Sequence, residues 1–390
     1  MVKPKIAILA TSLVPPHPAG TQILEVVDAL SSEFDFTVYA REIDKRLVGK
    51  VSFVKMPIPL CKPLLLRYLV QYFLYWRLLQ SRKLMNKFDI VHAIEATSPY
   101  ATVVTMHFCG DAAQELIDNG SLKYKGWRSL YYPILNFIGT KMERRLLNNA
   151  FLEEVIVVSK GLKKNILSHY KHICENKIKV IYNYADLDRF ISSAKYRIDV
   201  RKLLGLGEDE LVGVIVALGD WQRKGLDLLI EAFTINRKLN IKILVVGGGP
   251  IAHYKKICDE KGVAENFVFL GFQKELEKFY GASDFFIFPS AFEAFPLVLL
   301  EAAASGLPIL ASKIGGTEEI VKEGVNGLFI IRSGYDIAEK LSFIYNNRYI
   351  LENLSKNTRG SIDSHSKGKM VNKYRELYNA QSANLPVKQN

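Results

Sequence analysis

Cysteine is scarce: four in 390 residues, Cys61, Cys109, Cys174 and Cys258, far apart and with no CxxC pair. That usage excludes a disulfide framework and a cysteine metal cluster, and points to reduced thiols in a cytosolic setting. A long uncharged apolar run is also missing. A membrane-spanning helix needs about 20 mostly apolar residues in succession. The nearest approach, Pro57–Lys87, is broken by Lys62, Arg67, Gln71, Arg77, Arg82 and Lys83. The opening MVKPKIAILA lacks the apolar core and small-residue cleavage site of a secretory leader, so no targeting segment is expected there. Short-period repeats and low-complexity tracts are absent, and no His/Cys spacing suggests a metal site.

What is present is a globular composition, 49% hydrophobic and 24% charged, on a chain long enough for two domains. The net charge of +12 is uneven: residues 1–200 carry 28 Lys and Arg against 18 Asp and Glu, and the remainder is almost balanced. A basic first half suits nucleic acid, an anionic membrane or a phosphate-bearing substrate. No aromatic–basic recognition motif accompanies the charge, so nucleic acid is not expected as a partner.

Apolar runs alternate with helix-like segments throughout. Lys5–Ala10, Phe36–Ala40, Asp89–Ala93, Ala101–Thr105 and Val155–Val158 read as buried strands of a first array, with a Pro/Gly loop at Val14–Gly20 and a helix from about Thr21. Val212–Leu218, Lys242–Val246, Phe267–Leu270, Phe285–Phe288, Pro308–Ala311 and Gly327–Ile330 form a second. Two tandem βα arrays joined near Asn183–Phe190 imply an α/β protein of two doubly wound domains with a cleft between them. The expected boundaries are residues 1–182, 183–365, and a C-terminal helix and tail over 366–390 that returns to the first domain. Pro57–Lys87 reads either as an amphipathic helix on the sheet or as a basic, aromatic helix at a membrane surface. Lys123–Arg128 and Lys141–Arg145 add positive charge to the same half.

The most informative run is FPSAFEAFPLVLLEAAASGLPILASKIGGTEEIVKEGVNGLF, Phe288 to Phe329. It holds Glu293 and Glu301, with seven residues between them. A strand ends near Pro289 and a helix begins around Phe295 or Pro296, where Pro suits the first turn. Glu293 then falls in the loop and Glu301 about one and a half turns into the helix, both at the carboxyl ends of the strands, where open α/β sheets bind ligands. Carboxylates there accept charge-assisted hydrogen bonds from sugar and ribose hydroxyls.

With Gly315-Gly316, Glu319 and Asn326-Gly327 downstream, this run resembles the E-x7-E signature of glycosyltransferase family 4, retaining enzymes of the GT-B fold. VIYNYADLDRF (Val180–Phe190), RKGLDLLIEAF (Arg223–Phe233), VVGGGP (Val245–Pro250), DIVHAIEA and VVTMHFCGD match the family in order, so the resemblance runs from about residue 5 to about residue 335. It implies two Rossmann-like domains, and it implies roles. Glu301 would accept from the ribose hydroxyls of a nucleotide donor, and Glu293 from the donor sugar. Lys224, with Arg223, would bind the diphosphate leaving group. Backbone N–H groups over Phe295, Pro296 and Leu297 would contact phosphate or sugar oxygens. Gly20 would let the first-domain loop approach a phosphate, and His107 would reach the donor sugar from the first domain. His92, inside a strand, reads as structural.

Many family members carry Arg five residues before the Lys, where this chain has Gly219, and Arg223 is the substitute cation. The resemblance implies metal-independent transfer without a cofactor and with retention, in which a diphosphate oxygen takes the acceptor's proton; Asp111 is a local candidate base. The implied function is transfer of a hexose from a UDP-sugar of the UDP-glucose kind to a saccharide or lipid-linked saccharide. Such a protein would be cytoplasmic, with peripheral contact at the inner face of the membrane. The rivals are a nucleotide-sugar epimerase of the same fold and a non-catalytic membrane-associated binder.

Overall fold

The computed structural model describes residues 3–15, 18–59, 64–80, 86–120, 128–191, 193–217 and 219–383. Cys61, Lys62, Arg82, Lys83, the basic run Lys123–Trp127 and Leu218 lie outside the described residues.

The first sheet comprises β1 (Lys5–Leu9), β2 (Asp35–Ala40), β3 (Ser52–Lys55), β4 (Ile90–Ile94), β5 (Val103–Met106), β6 (Glu154–Val157) and β7 (Ile178–Val180). Its strands are parallel and ordered β3-β2-β1-β4-β5-β6-β7. The second comprises β8 (Leu211–Val216), β9 (Ile241–Val246), β10 (Phe267–Gly271), β11 (Phe285–Phe288), β12 (Ile309–Ser312) and β13 (Gly327–Ile330). It too is parallel, in the order β10-β9-β8-β11-β12-β13. In each sheet the strand order reverses beside the first strand, between β1 and β4 and between β8 and β11. A doubly wound sheet opens its ligand crevice at such a reversal, outside the carboxyl ends of the strands.

The central strands form where the sequence runs apolar without interruption: every residue of β4 and β8 is buried. Strands covered on both faces need no polar alternation. Two strands escape a reading by apolar runs. All four residues of β3 are exposed, and β7 has three residues with a single buried side chain. Both are edge strands, held by pairing on one side rather than by their own burial.

Clustering of contacts divides the chain into two compact units: Met1–Asn183 with Lys367–Asn390, and Tyr184–Ser366. The helix Lys367–Ala383 belongs to the first unit through its aromatic face. Tyr378 Oη lies 2.8 Å from His92 Nδ1, and Thr105 Oγ1 lies 2.7 Å from His92 Nε2 and 3.1 Å from Tyr374 Oη. The rings of Phe34 and Phe36 meet Tyr378 edge-on. His92 is fully buried and burial holds its imidazole down to about 3, so it is neutral and serves as a strut between sheet and helix.

In the first unit the helix Leu64–Leu79 buries Gln71, Tyr75 and Leu79. The Tyr75 hydroxyl sits 2.7 Å from the carbonyls of both Ala10 and Tyr39, which seats the helix at the ends of β1 and β2. Its opposite face leaves Leu66, Leu69 and Phe73 exposed. No helix among the described residues is long and apolar enough to cross a membrane.

Candidate active site

Two loops of the second unit, following the strands that flank its crevice, carry a cluster of three charged side chains. The loop after β8 is anchored by Trp221, which is buried, donates Nε1–H to the Ala217 carbonyl at 2.9 Å and stacks on Phe269. Asp220 shapes the turn by accepting from the backbone N–H of Arg223 at 3.2 Å. Gly225 closes it with φ +81°, and a Cβ there would stand 2.2 Å from the Pro289 carbonyl. The glycine of the Lys-Gly pair is therefore what lets the loop after β8 lie against the loop after β11. Arg332 ties the same two loops, donating to Pro289 O at 3.2 Å and Gln222 O at 3.1 Å.

This packing brings three charged side chains to one point. Glu293 Oε1 accepts from Arg223 Nη1 and from Lys224 Nζ, each at 2.5 Å, and from Ser290 Oγ at 3.1 Å. The Lys224 ammonium also lies 5.0 Å from the centre of the Phe288 ring. Burial lowers the Lys224 pKa, and the neighbouring Arg223 charge adds to that, outweighing the support from Glu293. Burial alone would raise Glu293, but Lys224 and Arg223 outweigh it and hold the carboxyl below its ordinary range. The side chains keep a little access, 12% for Lys224, 17% for Glu293 and 23% for Arg223, enough for a ligand to reach them. Gly219, where many relatives of the E-x7-E pattern carry Arg, has φ +83°. That backbone disfavours Arg, and the cation beside Lys224 on Glu293 is Arg223.

The downstream part of the signature supports this loop rather than joining it. A Cβ on Gly316 would stand 2.4 Å from the Ala294 carbonyl, so the Gly315–Thr317 turn packs directly beneath the segment that carries Glu293. Asn326 is buried and donates to Ile320 O and Ser361 Oγ, both at 2.8 Å.

Glu301 lies on the helix Leu297–Ala304, whose N-cap is Pro296. The helix thus starts one residue beyond Pro296. Phe295 and Pro296 belong to the preceding turn, and Phe295 is buried against His365 with ring centroids 5.4 Å apart. Pro296 has no N–H to donate, which removes it from the expected set of backbone donors and leaves Phe295 and Leu297. Glu301 is partly exposed and its Oε2 accepts from Tyr280 Oη at 3.0 Å. Burial pushes its carboxyl up to about 7, against the lowering effect of Tyr280 and Arg189.

In the first unit, His107 follows β5 and Glu95 follows β4. Glu95 has φ +61°, a left-handed conformation that only glycines otherwise adopt among the described residues. Its Oε1 accepts from the His107 backbone N–H at 3.1 Å and lies 2.9 Å from His107 Nδ1. The imidazole is mostly buried, and its Nε2 has no hydrogen-bond partner among the described residues. Gly20 is not in a loop: the helix begins at Pro18, three residues earlier than the sequence reading, and Gly20 sits in its first turn. Asp111 is engaged by Arg144 at 2.7 and 3.2 Å, so it is not poised as a free base. Cys109 is buried and its thiol is pushed up to about 12, which makes it inert. Glu143, pushed up to about 7 by burial, accepts from Gly110 N–H and Tyr170 Oη and fixes the start of the helix after His107.

The structure therefore brings Arg223, Lys224 and Glu293 together, sets Glu301 on the adjoining helix, and places His107 and Gly20 in the other unit. Sequence reasoning missed Glu95, Tyr280, Asp220, Ser290 and Arg332. Glu95 stands in DIVHAIEA, residues 89–96, but nothing local marks its backbone or its pairing with His107. Arg332 lies beyond the signature, and only the fold carries it to Pro289.

Two family models match the chain: Glycosyltransferase Family 4 over residues 19–189 and Glycosyl transferases group 1 over residues 200–361. The uncharacterized glycosyltransferase MJ1607 of Methanocaldococcus jannaschii is 30% identical over 273 residues, 66% of this chain and 68% of that protein. The chain belongs to glycosyltransferase family 4. Among solved structures it is similar to WaaG, a glycosyltransferase involved in lipopolysaccharide biosynthesis, with TM-score 0.75, 18% identity and coverage of 95% and 99% of the two chains. It is also similar to Anabaena HepE in complex with UDP and glucose, with TM-score 0.71, 17% identity and coverage of 96% and 99%. The fold is GT-B: two Rossmann-like domains with parallel sheets.

Proposed function

We propose that this glycosyltransferase moves a hexose from a UDP-sugar to a saccharide or lipid-linked saccharide acceptor, with retention of configuration at the anomeric carbon. The observation that carries the reading is the Arg223–Lys224–Glu293 cluster at the crevice of the second sheet. One carboxylate oxygen of Glu293 holds both cations. A donor diphosphate would take the two cations, and Glu293 would turn to the hydroxyls of the sugar. Glu301 would accept from the ribose hydroxyls, and Leu297 N–H at the helix start would face phosphate.

In the proposed reaction the bond from the anomeric carbon to the diphosphate oxygen breaks as the acceptor oxygen bonds to the same carbon from the same face. The departing diphosphate takes the acceptor's proton. Lys224 and Arg223 neutralise the charge that grows on the leaving group, the task a divalent ion performs in other transferases. His107, held by Glu95, would present Nε2 to the donor sugar. HepE is solved with UDP and glucose, which favours uridine and a gluco-configured sugar.

Two exposed stripes in the first unit favour an acceptor at a membrane surface. Leu66, Leu69 and Phe73 are exposed on one helix, and Leu130, Ile134 and Phe137 on the helix Arg128–Leu147, where Lys141 lies over the Phe137 ring. Tyr131 Oη accepts from Leu65 N–H at 3.1 Å, so the two helices adjoin. Apolar side chains rimmed by Arg67, Arg77 and Lys141 suit an anionic lipid surface.

The test is donor binding. Thermal-shift measurements with UDP-, GDP- and ADP-sugars should show stabilisation, largest with a UDP-hexose. A ligand present at one hundred times its Kd stabilises by about 2.7 kcal/mol, a readable shift for a protein of this size. Absence of a shift with every nucleotide sugar sinks the reading.

A further inference from the structure

Tyr280 has no part in the E-x7-E signature, yet its hydroxyl donates to the Glu301 carboxylate. It is fully buried, on the helix Leu276–Ala282, with its ring packed edge-on against Phe190 at 5.6 Å and tilted against Phe286 at 5.8 Å. A tyrosine so enclosed holds its hydroxyl oxygen in one place, and there it donates to Glu301 Oε2 at 3.0 Å, with the Val298 carbonyl farther off at 3.5 Å. The ring cage is itself tied down: Arg189, beside Phe190, donates Nε–H and Nη2–H to Glu277 Oε2 at 2.9 and 2.6 Å, and Nη2–H also to Lys274 O at 2.6 Å.

Resting on the reading of Glu301 as the ribose contact, we infer that Tyr280 is the positioning residue of the nucleoside site. Its hydroxyl occupies one carboxylate oxygen of Glu301, fixes the rotamer, and aims the other oxygen at the ribose diol. A carboxylate with one oxygen already satisfied presents one defined acceptor edge rather than a rotating pair. The expected consequence is selectivity for the 2′- and 3′-hydroxyls rather than affinity for the phosphates, which are handled by Lys224 and Arg223.

The charges around Glu301 come from three sides. Tyr280 and Glu277 lie on one neighbouring helix and Arg189 on the short helix Leu187–Ile191. On the segment Arg359–His365, Arg359 is engaged with the Ala304 carbonyl and His365 with the Phe295 ring. Burial raises the Glu301 pKa, Glu277 adds to this, and the Tyr280 hydrogen bond and Arg189 lower it, leaving the carboxyl at about 7. The sign follows. The folded state favours the protonated acid, so this group's contribution to stability is full below about pH 4.5 and is lost as pH rises through about 7. Ribose hydroxyls are better received by the ionised form, so their contribution to binding grows as pH rises through the same value. Removing the Tyr280 hydroxyl takes away a donor to the carboxylate and moves that midpoint upward.

The experiment uses the full chain and calorimetric titration of UDP, GDP and ADP. The one that binds is then paired with its 2′,3′-dideoxy analogue, and the ratio of the two affinities is followed from pH 6 to 9. Wild type should prefer the ribonucleotide, increasingly at higher pH. Tyr280→Phe should lower the preference roughly ten-fold near neutral pH, as expected for one hydrogen bond to a charged group, and shift its midpoint upward. Affinity for the dideoxy analogue should stay unchanged. In the Glu301→Gln background the Tyr280→Phe effect should vanish, because the two act as a unit. A Tyr280→Phe protein with the wild-type preference and midpoint overturns the assignment, as does an equal loss of both ligands or a loss that persists with Glu301→Gln. A wild type that binds nucleotide without preferring the ribose form overturns the reading of Glu301 instead. Absence of binding by any of the three nucleotides overturns the proposed donor site as a whole.

Discussion

Lys224→Ala should lower kcat by about three orders of magnitude, roughly 4 kcal/mol of lost transition-state stabilisation. Lys224 is mostly buried, sits on the loop at the crevice of the second sheet, and shares Glu293 with Arg223. In the ground state the donor diphosphate already carries its charges, and Arg223 can bind part of them. As the anomeric carbon–oxygen bond breaks, further negative charge collects on the leaving oxygen, in a site where little water screens it. A fixed ammonium contributes most at that point, so the loss should fall on kcat more than on KM. The variant should fold, because Glu293 keeps Arg223 and Ser290 as partners. Steady-state kinetics on the purified variant decide it: turnover within a few-fold of wild type would remove Lys224 from the leaving-group role.

Glu293→Gln should separate two properties that Lys224→Ala changes together. Turnover should fall about 100-fold, since the carboxylate proposed to receive the sugar hydroxyls is gone. Affinity for free UDP should rise. Glu293 Oε1 holds both cations at 2.5 Å, so a diphosphate binding there has to draw them away from a carboxylate. A neutral amide at this position competes far less for two buried positive charges. Calorimetric titration of UDP beside a turnover assay gives both numbers. UDP affinity falling in parallel with turnover would mean that Glu293 supports the loop rather than competing with the diphosphate.

Legibility in the sequence followed burial. The central strands announced themselves as apolar runs, and the two parallel arrays followed from their alternation with helices. Edge strands β3 and β7 did not, because exposed three- or four-residue strands carry no hydrophobic period. On the site, the resemblance to the E-x7-E pattern singles out Glu293, Glu301, Arg223 and Lys224, and the structure sets Glu293, Arg223 and Lys224 on the loops after β8 and β11 and Glu301 on the adjoining helix. The sequence reading places the helix start three residues late: Pro18 starts the helix, so Gly20 falls in its first turn, although the Pro/Gly composition there reads as loop. Pro296 was read as a donor region although proline has no N–H. Glu95 and Tyr280 act through partners 12 and 21 residues away, contacts that only the fold creates. Gly219, where the resemblance leads one to expect arginine, has φ +83°, a backbone that suits glycine, and the adjoining turn carries Arg223.

The most direct measurement is a crystal structure of the protein soaked with the nucleotide sugar that gives the largest thermal shift. The diphosphate should lie within hydrogen-bond distance of Lys224 Nζ and the Arg223 guanidinium, the ribose hydroxyls on Glu301, and Glu293 turned from the two cations to the sugar. A nucleotide bound away from β8 and β11, with Lys224 and Arg223 still closed on Glu293, would contradict the donor site described above.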